Sequence, residues 1–119
     1  MHESPSATQL LQAVITFLND VATPQLTGHA AFHARVSANA LALVARELEQ
    51  RAQGDERAIE LYCAFVPPNN NLPSLEAALC EAIRAGDFSI DTPRLLASLR
   101  EVALAQLAID QPNYSGLAI

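Results

Sequence analysis

The stretch Phe32-His-Ala-Arg-Val-Ser-Ala-Asn-Ala-Leu-Ala-Leu-Val-Ala-Arg-Glu-Leu48 contains neither Gly nor Pro. At about 100° per residue, its larger apolar side chains fall on one half of a helix. We therefore predict one long central helix that packs this half into the core and ends near Gln50 or Ala52, before Gly54. The residues of the apolar half are Phe32, Val36, Ala40, Leu41, Leu43, Val44 and Leu48.

Shorter apolar-periodic segments lie on both sides of this helix and are separated by Gly, Pro and Asn. No stretch alternates with period two, so a sheet of any size is excluded. The pattern predicts an all-α fold: a single-domain bundle of about five helices around the long central helix, covering residues 1–119. The predicted starts of the other four helices are Ser4 or Ser6, Asp55, Ser74 and Asp91–Pro93.

The charge balance restricts the partners of the chain. The formal net charge is -6, and all seven basic residues are Arg. Such a surface repels phosphate backbones and anionic lipid, so nucleic acid and membrane are not expected as partners. Because the N-terminus lacks a signal-peptide pattern and no apolar run has the length to span a bilayer, we expect a cytoplasmic protein.

Three polar residues of the central helix form the strongest candidate site. With Arg35 at zero, Asn39 lies at about 40° and Arg46 at about 20°, so the three follow one line along the helix. We call this line the arginine seam. Its side chains have three interpretations: they pair with acids of neighbouring helices such as Asp110 or Glu101, they face a protein partner, or they bind an anionic ligand.

Glu47 belongs to the same candidate set. The helical wheel places it at about 120°, between Val36 and Ala40 and inside the apolar arc. A carboxylate there is costly unless it is paired. It either pairs with Arg51 one turn further on, near the helix end, or forms a buried ion pair that would make it the best general-base candidate in the chain.

His29 and His33 stand four residues apart, the spacing at which two imidazoles share a metal ion on one helical face. The segment lacks the catalytic Glu of a zincin helix, and no third ligand is close in the sequence. These two residues are therefore weak metal candidates, and no cofactor is expected. Gly-rich phosphate loops and nucleophile elbows are also missing from the sequence, which argues against an independent enzyme.

The segments Phe32-His-Ala-Arg-Val-Ser-Ala-Asn-Ala-Leu41, Arg46-Glu-Leu48, Ile83-Arg-Ala-Gly86 and Leu107-Ala-Ile-Asp110 resemble those of a small bacterial helical family of unknown function. The resemblance covers nearly the whole chain and departs from the family pattern mainly at Ser37 and in the loop Pro67–Pro73. It implies genes beside acyl-CoA dehydrogenases and beside kinases that resemble aminoglycoside phosphotransferases. It supplies no catalytic residues, although Arg35, Asn39, Arg46 and Glu47 belong to the family signature.

Two functional hypotheses follow. The first is a non-catalytic accessory protein, itself a homodimer, that associates with a kinase-like or acyl-CoA-dehydrogenase-like enzyme of acyl-CoA or hydroxy-acid metabolism. Its contact surface would be an apolar patch bordered by the arginine seam. The alternative is a binder of an anionic small molecule, a phosphate or CoA-type ligand, or a minor enzyme that uses Arg35, Asn39 and Glu47.

Overall fold

The computed structural model describes residues 4–114 and is all-helical over this range, as the sequence predicts. It contains four α-helices rather than about five, and no strand among these residues. No helix of the described part combines the length and apolar character needed to cross a bilayer. The helices are α1 (Ala7–Phe17), α2 (Gly28–Tyr62), α3 (Leu72–Arg84) and α4 (Leu95–Asp110).

Helix α2 is the long helix, and it continues through the position where the sequence predicts its end. Gly54 lies inside it and has no positive φ. The residues on both sides of Gly54 are mostly good helix formers, and one glycine in a helix interior costs only about 1 kcal/mol. Asp55 is therefore an interior residue of α2, and the two predicted helices on either side of Gly54 are one.

Replacing Gly54 by Ala is expected to stabilise the protein. A Cβ atom built at this position has no heavy atom within 4 Å outside the local backbone. The substitution should raise the unfolding free energy by about 0.5–1 kcal/mol, because Ala loses less backbone entropy on folding. Urea unfolding measures the change. Gly86→Ala is the control and should destabilise, because Gly86 has a φ of +83°. A loss of stability in Gly54→Ala would contradict the continuous helix.

Helix α1 starts at one of the two predicted caps. The Ser6 hydroxyl accepts a hydrogen bond from the Gln9 backbone N–H at 3.1 Å, and the Gln9 side chain accepts one from the Ser6 backbone N–H at 2.8 Å. This reciprocal pair is a capping box. Helical structure continues beyond Phe17 through a π-helical turn, Leu18–Ala22, and one further turn, Thr23–Gln25. The chain becomes extended at Leu26.

Helices α3 and α4 start at residues other than those predicted. The Asn71 side chain accepts a hydrogen bond from the Ser74 backbone N–H at 2.9 Å, so Asn71, not Ser74, caps α3. Helix α4 begins at Leu95, after Arg94 in the left-handed conformation at φ 67°, rather than at Asp91–Pro93. Gly86, just beyond α3, takes the positive φ expected of a residue that ends a helix.

The chain divides into two compact units, Met1–Gln50 and Arg51–Ile119. The prediction of a single domain is not tested by this division. The described part of the second unit has a continuous apolar core, in which Leu75 is completely buried. Large side chains from the end of α2, from α3 and from α4 make up this core. Its buried members are Ala58, Leu61, Tyr62, Val66, Leu75, Leu79 and Leu95.

The first unit buries mostly small side chains. Its buried apolar residues are Ile15 and four alanines of α2, namely Ala31, Ala34, Ala38 and Ala45. The four alanines follow one line along the helix. The larger apolar residues predicted to form the core side of this segment are mostly exposed, with Phe32 at 46% and Val36 at 48%. The prediction therefore chose the wrong side of α2 as the buried one.

Candidate functional site

The arginine seam lies along the first half of α2, as predicted. The helix is regular from Gly28 to Tyr62, so Arg35, Asn39 and Arg46 keep their common line. This line is about 90° from the line of buried alanines. Arg35 and Asn39 are exposed and Arg46 is half-buried. The seam is thus accessible at its N-terminal end.

The acidic partners predicted for the seam are bonded elsewhere. Glu101 accepts hydrogen bonds from the Arg57 guanidinium at 2.5 and 3.2 Å. Asp110 lies 4.0 Å from Arg51 and accepts a hydrogen bond from Gln106 at 2.8 Å. Arg35 forms neither a hydrogen bond nor an ion pair with any residue in the 4–114 range. Arg46 has an interaction partner in the chain, and pairing of the seam with Glu101 or Asp110 stays a prediction.

Large apolar side chains lie on the far side of the seam from the alanines. Phe32, Val36 and Leu43 are all exposed and fall within about 40° of one another on the helical wheel. We call these three residues, together with Ala40 beside them, the outer face of α2. The seam borders this face along one edge. Around the axis of α2, the buried alanines are therefore followed by the seam and then by the exposed apolar strip. The exposed apolar strip thus has arginines along one edge.

Glu47 lies on the outer face of α2, at the position the helical wheel gives it. It is half-buried, and like Arg46 it has an interaction partner in the chain. The two cavities described below do not include it. The convergence of Arg35, Asn39 and Glu47 around a concave site, which would favour catalysis, is not found in either cavity.

The two histidines extend the apolar strip toward the start of α2. The His29 and His33 rings are stacked with centroids 6.4 Å apart, and the Phe32 ring lies 5.6 Å from that of His33. Within residues 4–114, no group of three His, Cys, Asp or Glu side chains is arranged to hold a metal ion. The rings of His29, Phe32 and His33 form an aromatic cluster, with His33 stacked against Phe32.

Two cavities lie in the unit that begins at Arg51, and the sequence did not indicate either of them. One, of about 260 Å³, has Arg51, Asp55, Glu76 and Gln106 among its lining residues. The other, of about 350 Å³, includes Arg57, Arg94 and Ser98. The first cavity was missed because the predicted break at Gly54 placed Arg51 and Asp55 on separate helices. Their spacing of four residues on one continuous helix is the signal that would have brought them together.

Charges in the second cavity are largely compensated. The Arg57 guanidinium donates to both Glu101 and Glu60, which raises the pKa of Arg57, and the hydrogen bond from Arg57 lowers the pKa of Glu101. Away from the cavities, burial raises the pKa of the Tyr62 phenol. A bidentate Arg–carboxylate pair between the end of α2 and α4 is typical of a structural contact. This cavity therefore offers a ligand less free charge than its two arginines suggest.

Comparison with known proteins identifies a family. Neither the curated proteins nor the solved structures include a significant match to this chain. A family model described as "Domain of unknown function (DUF6285)" matches residues 24–114, which include α2, α3, α4 and the whole arginine seam but not α1. Because this match covers more than half of the chain, the protein belongs to the DUF6285 family.

Proposed function

We propose that this protein is a non-catalytic accessory protein of the bacterial cytoplasm that binds a partner enzyme through the outer face of α2. The observation that carries the proposal is the exposure of Phe32, Val36 and Leu43 beside Arg35. Contiguous exposed apolar side chains are costly in water and mark interaction surfaces in folded proteins. The neighbouring apolar residues Val44 and Leu48, also exposed, widen the strip on its other side.

The polar border of this face suits a protein partner. Interfaces typically combine a desolvated apolar centre with a polar rim, and Arg is enriched among the residues that contribute most to binding. Arg35 has no ion-pair partner within the part of the chain that the structure describes, so its guanidinium is available to a carboxylate of another protein. We therefore expect the partner surface to carry an apolar ridge and at least one acidic residue opposite Arg35.

The class of partner is a separate step of the proposal. The family that the sequence resembles implies genes beside acyl-CoA dehydrogenases and beside kinases that resemble aminoglycoside phosphotransferases. We propose one of these two enzyme classes as the partner, which places the protein in acyl-CoA or hydroxy-acid metabolism. The chain would then supply binding and positioning, while the chemistry would belong to the enzyme.

Affinity purification from the native host tests this proposal. Full-length tagged protein should co-elute with a dehydrogenase or kinase of these classes in near-equal amount, identified by mass spectrometry. The double variant Val36→Asp, Leu43→Asp should lose the enzyme, because two carboxylates in the apolar centre must be desolvated on binding. Ile90→Asp is the matched control: Ile90 is 74% exposed in the other unit, and this variant should retain the enzyme.

Two results would contradict the proposal. One is recovery of the wild-type chain without a stoichiometric enzyme at protein levels close to those of the host. The other is equal recovery of the enzyme by the Val36→Asp, Leu43→Asp variant, which would place the contact elsewhere on the molecule. Circular dichroism of each variant confirms that it is folded before the comparison is made.

A second candidate function is binding of an anionic small molecule, a phosphate or CoA-type ligand. The accessible guanidinium of Arg35 and the adjacent Asn39 amide favour it, since the two provide donors on one line of the helix. A thermal-shift series with acyl-CoA and phosphorylated metabolites tests it: a ligand at 100 times its Kd should stabilise the wild type by about 2.7 kcal/mol. Arg35→Ala should abolish the shift without unfolding the chain.

A further inference from the structure

Helix α1 carries more apolar surface than its own chain covers. On the helical wheel the apolar side chains of residues 10–21 span roughly 160°, from Phe17 round to Ile15. Ile15 is buried and Leu11 and Leu18 are half-buried, so one half of this arc is covered. The other half is open to solvent. Its members are Leu10, Val14, Phe17 and Val21, with 56%, 47%, 54% and 44% of their surface exposed.

The four exposed residues follow one another at steps of four, three and four residues. This is the spacing of the apolar seam in helices that pack side by side. The π-helical turn Leu18–Ala22 keeps Val21 about one turn beyond Phe17, on the same side of the helix. We call Leu10, Val14, Phe17 and Val21 the α1 seam.

The charge distribution favours a second copy of the chain as the partner of the α1 seam. The chain has a net charge of -6, so two copies repel each other over most of their surface. Residues 7–19 contain no charged side chain at all. Contact through residues 7–19 therefore brings no charged side chain of this segment together with its copy. An acidic or basic partner would gain no ion pair from this helix, whereas a second copy of it is apolar and uncharged in the same way.

Symmetry distinguishes the α1 seam from the outer face of α2. In a two-fold dimer the same patch faces itself, so it has to be self-complementary. A face bordered by Arg35 and Arg46 would bring charged side chains into such a contact and suits an acidic partner instead. The α1 seam has no such conflict.

The apolar area of the α1 seam sets an upper limit on the contact. Phe17 leaves roughly 100 Å² accessible, because an aromatic side chain has about 150–250 Å² in all, and the smaller Leu10, Val14 and Val21 leave less than that. Two copies would then bury at most about 800 Å² of apolar side-chain surface. Because homodimer interfaces are about 65% apolar, the full contact would reach at most roughly 1,200 Å², the size at which specific, stable interfaces begin.

We infer that the protein forms a homodimer in which the α1 seam of one copy packs against the α1 seam of the other. This contact uses a different surface from the outer face of α2, so a dimer would still present that face to a partner enzyme. It also lies outside residues 24–114, the part that the family model matches.

Sedimentation velocity of the full chain over a concentration series from about 1 to 200 µM tests the inference. The chain mass is 12.7 kDa, and the dimer should have twice that mass at the upper concentrations. Leu10→Asp, Phe17→Asp should weaken dimerisation at least 100-fold and remain monomeric across the series, because four carboxylates would have to be desolvated at one contact. Circular dichroism should show unchanged helicity, since both side chains are more than half exposed.

The control is Val36→Asp, Leu43→Asp, which should stay dimeric even where it has lost the partner enzyme. A monomeric wild type over the whole series would overturn the inference. A Leu10→Asp, Phe17→Asp variant that is folded and still dimeric would overturn it as well. If instead the α2 variant became monomeric, α2 would be the self-association surface. If the monomeric Leu10→Asp, Phe17→Asp variant still captures the enzyme, enzyme binding does not require the dimer.

Discussion

Leu75→Ala is expected to destabilise the protein by about 3 kcal/mol, within the range of about 2–5 kcal/mol for Leu truncations in cores. Leu75 has no exposed surface and lies in the apolar cluster of residues 51–114, together with Tyr62, Leu79 and Leu95. Truncation removes the transfer free energy of its side chain and leaves a cavity between helices that relax only in part. Since domains of this size are stable by only about 5–15 kcal/mol, the loss would be a large fraction of the total.

Urea unfolding followed by circular dichroism at a fixed protein concentration gives the measurement, because dimerisation would make stability concentration-dependent. The matched control is Leu96→Ala on α4, where the side chain is 53% exposed and the change should stay within about 0.5 kcal/mol. Similar losses in the two variants would mean that Leu75 does not occupy the core position described.

The second large effect is expected from Ala38→Leu, which should cost at least 1–3 kcal/mol, the usual range for overpacking. Ala38 is 1% exposed and lies on the line of buried alanines of α2. Three additional carbon atoms at this position have no free space and would push apart whatever covers the helix. Ala and Leu are both strong helix formers, so helix propensity contributes little to the difference.

Ala40→Leu is the control for this substitution. Ala40 is exposed and lies two residues further along the same helix, on the outer face. Its replacement should change the unfolding free energy by less than about 0.5 kcal/mol. The reverse order, with a tolerated Ala38→Leu and a damaging Ala40→Leu, would show that the large apolar residues of α2 face the core.

The helical class was predictable because helix formers dominate the sequence and the apolar periodicity is helical throughout. The number of helices was not, because Gly54 is a breaker only where its conformational freedom is used. Here it lies inside α2 without a positive φ. The cost of one helical glycine is smaller than the gain from continuing a helix whose far end joins the core around Leu61 and Tyr62.

The buried side of α2 was predicted wrongly for a different reason. Ranking side chains by apolar size assigns Phe32, Val36 and Leu43 to the core, and the helical wheel supports that choice because they share one face. The structure instead buries the small residues, such as Ala34 and Ala38. Alanines permit a close approach of helices, and the larger side chains remain outside. A helix with an apolar strip on one side and an alanine line on another has two sides available for packing, and the sequence does not rank them.

The seam itself was predictable in position, since a regular helix keeps Arg35, Asn39 and Arg46 on one line. Its partners were not, because pairing depends on which helices are neighbours. Glu101 and Asp110 are instead engaged by Arg57, beyond the predicted helix end, and by Arg51, at that end. The free state of Arg35 among the described residues is consequently a structural finding.

The large apolar side chains of the first half of α2 face outward, and we propose that they serve association. The unfolding free energy of the triple variant Phe32→Ser, Val36→Ser, Leu43→Ser tests this orientation most directly. If the side chains are outward, as described, the three substitutions should together cost less than about 1.5 kcal/mol, the sum of three surface effects. A loss of about 6 kcal/mol or more, or a chain that no longer folds, would identify them as core residues and contradict their outward orientation.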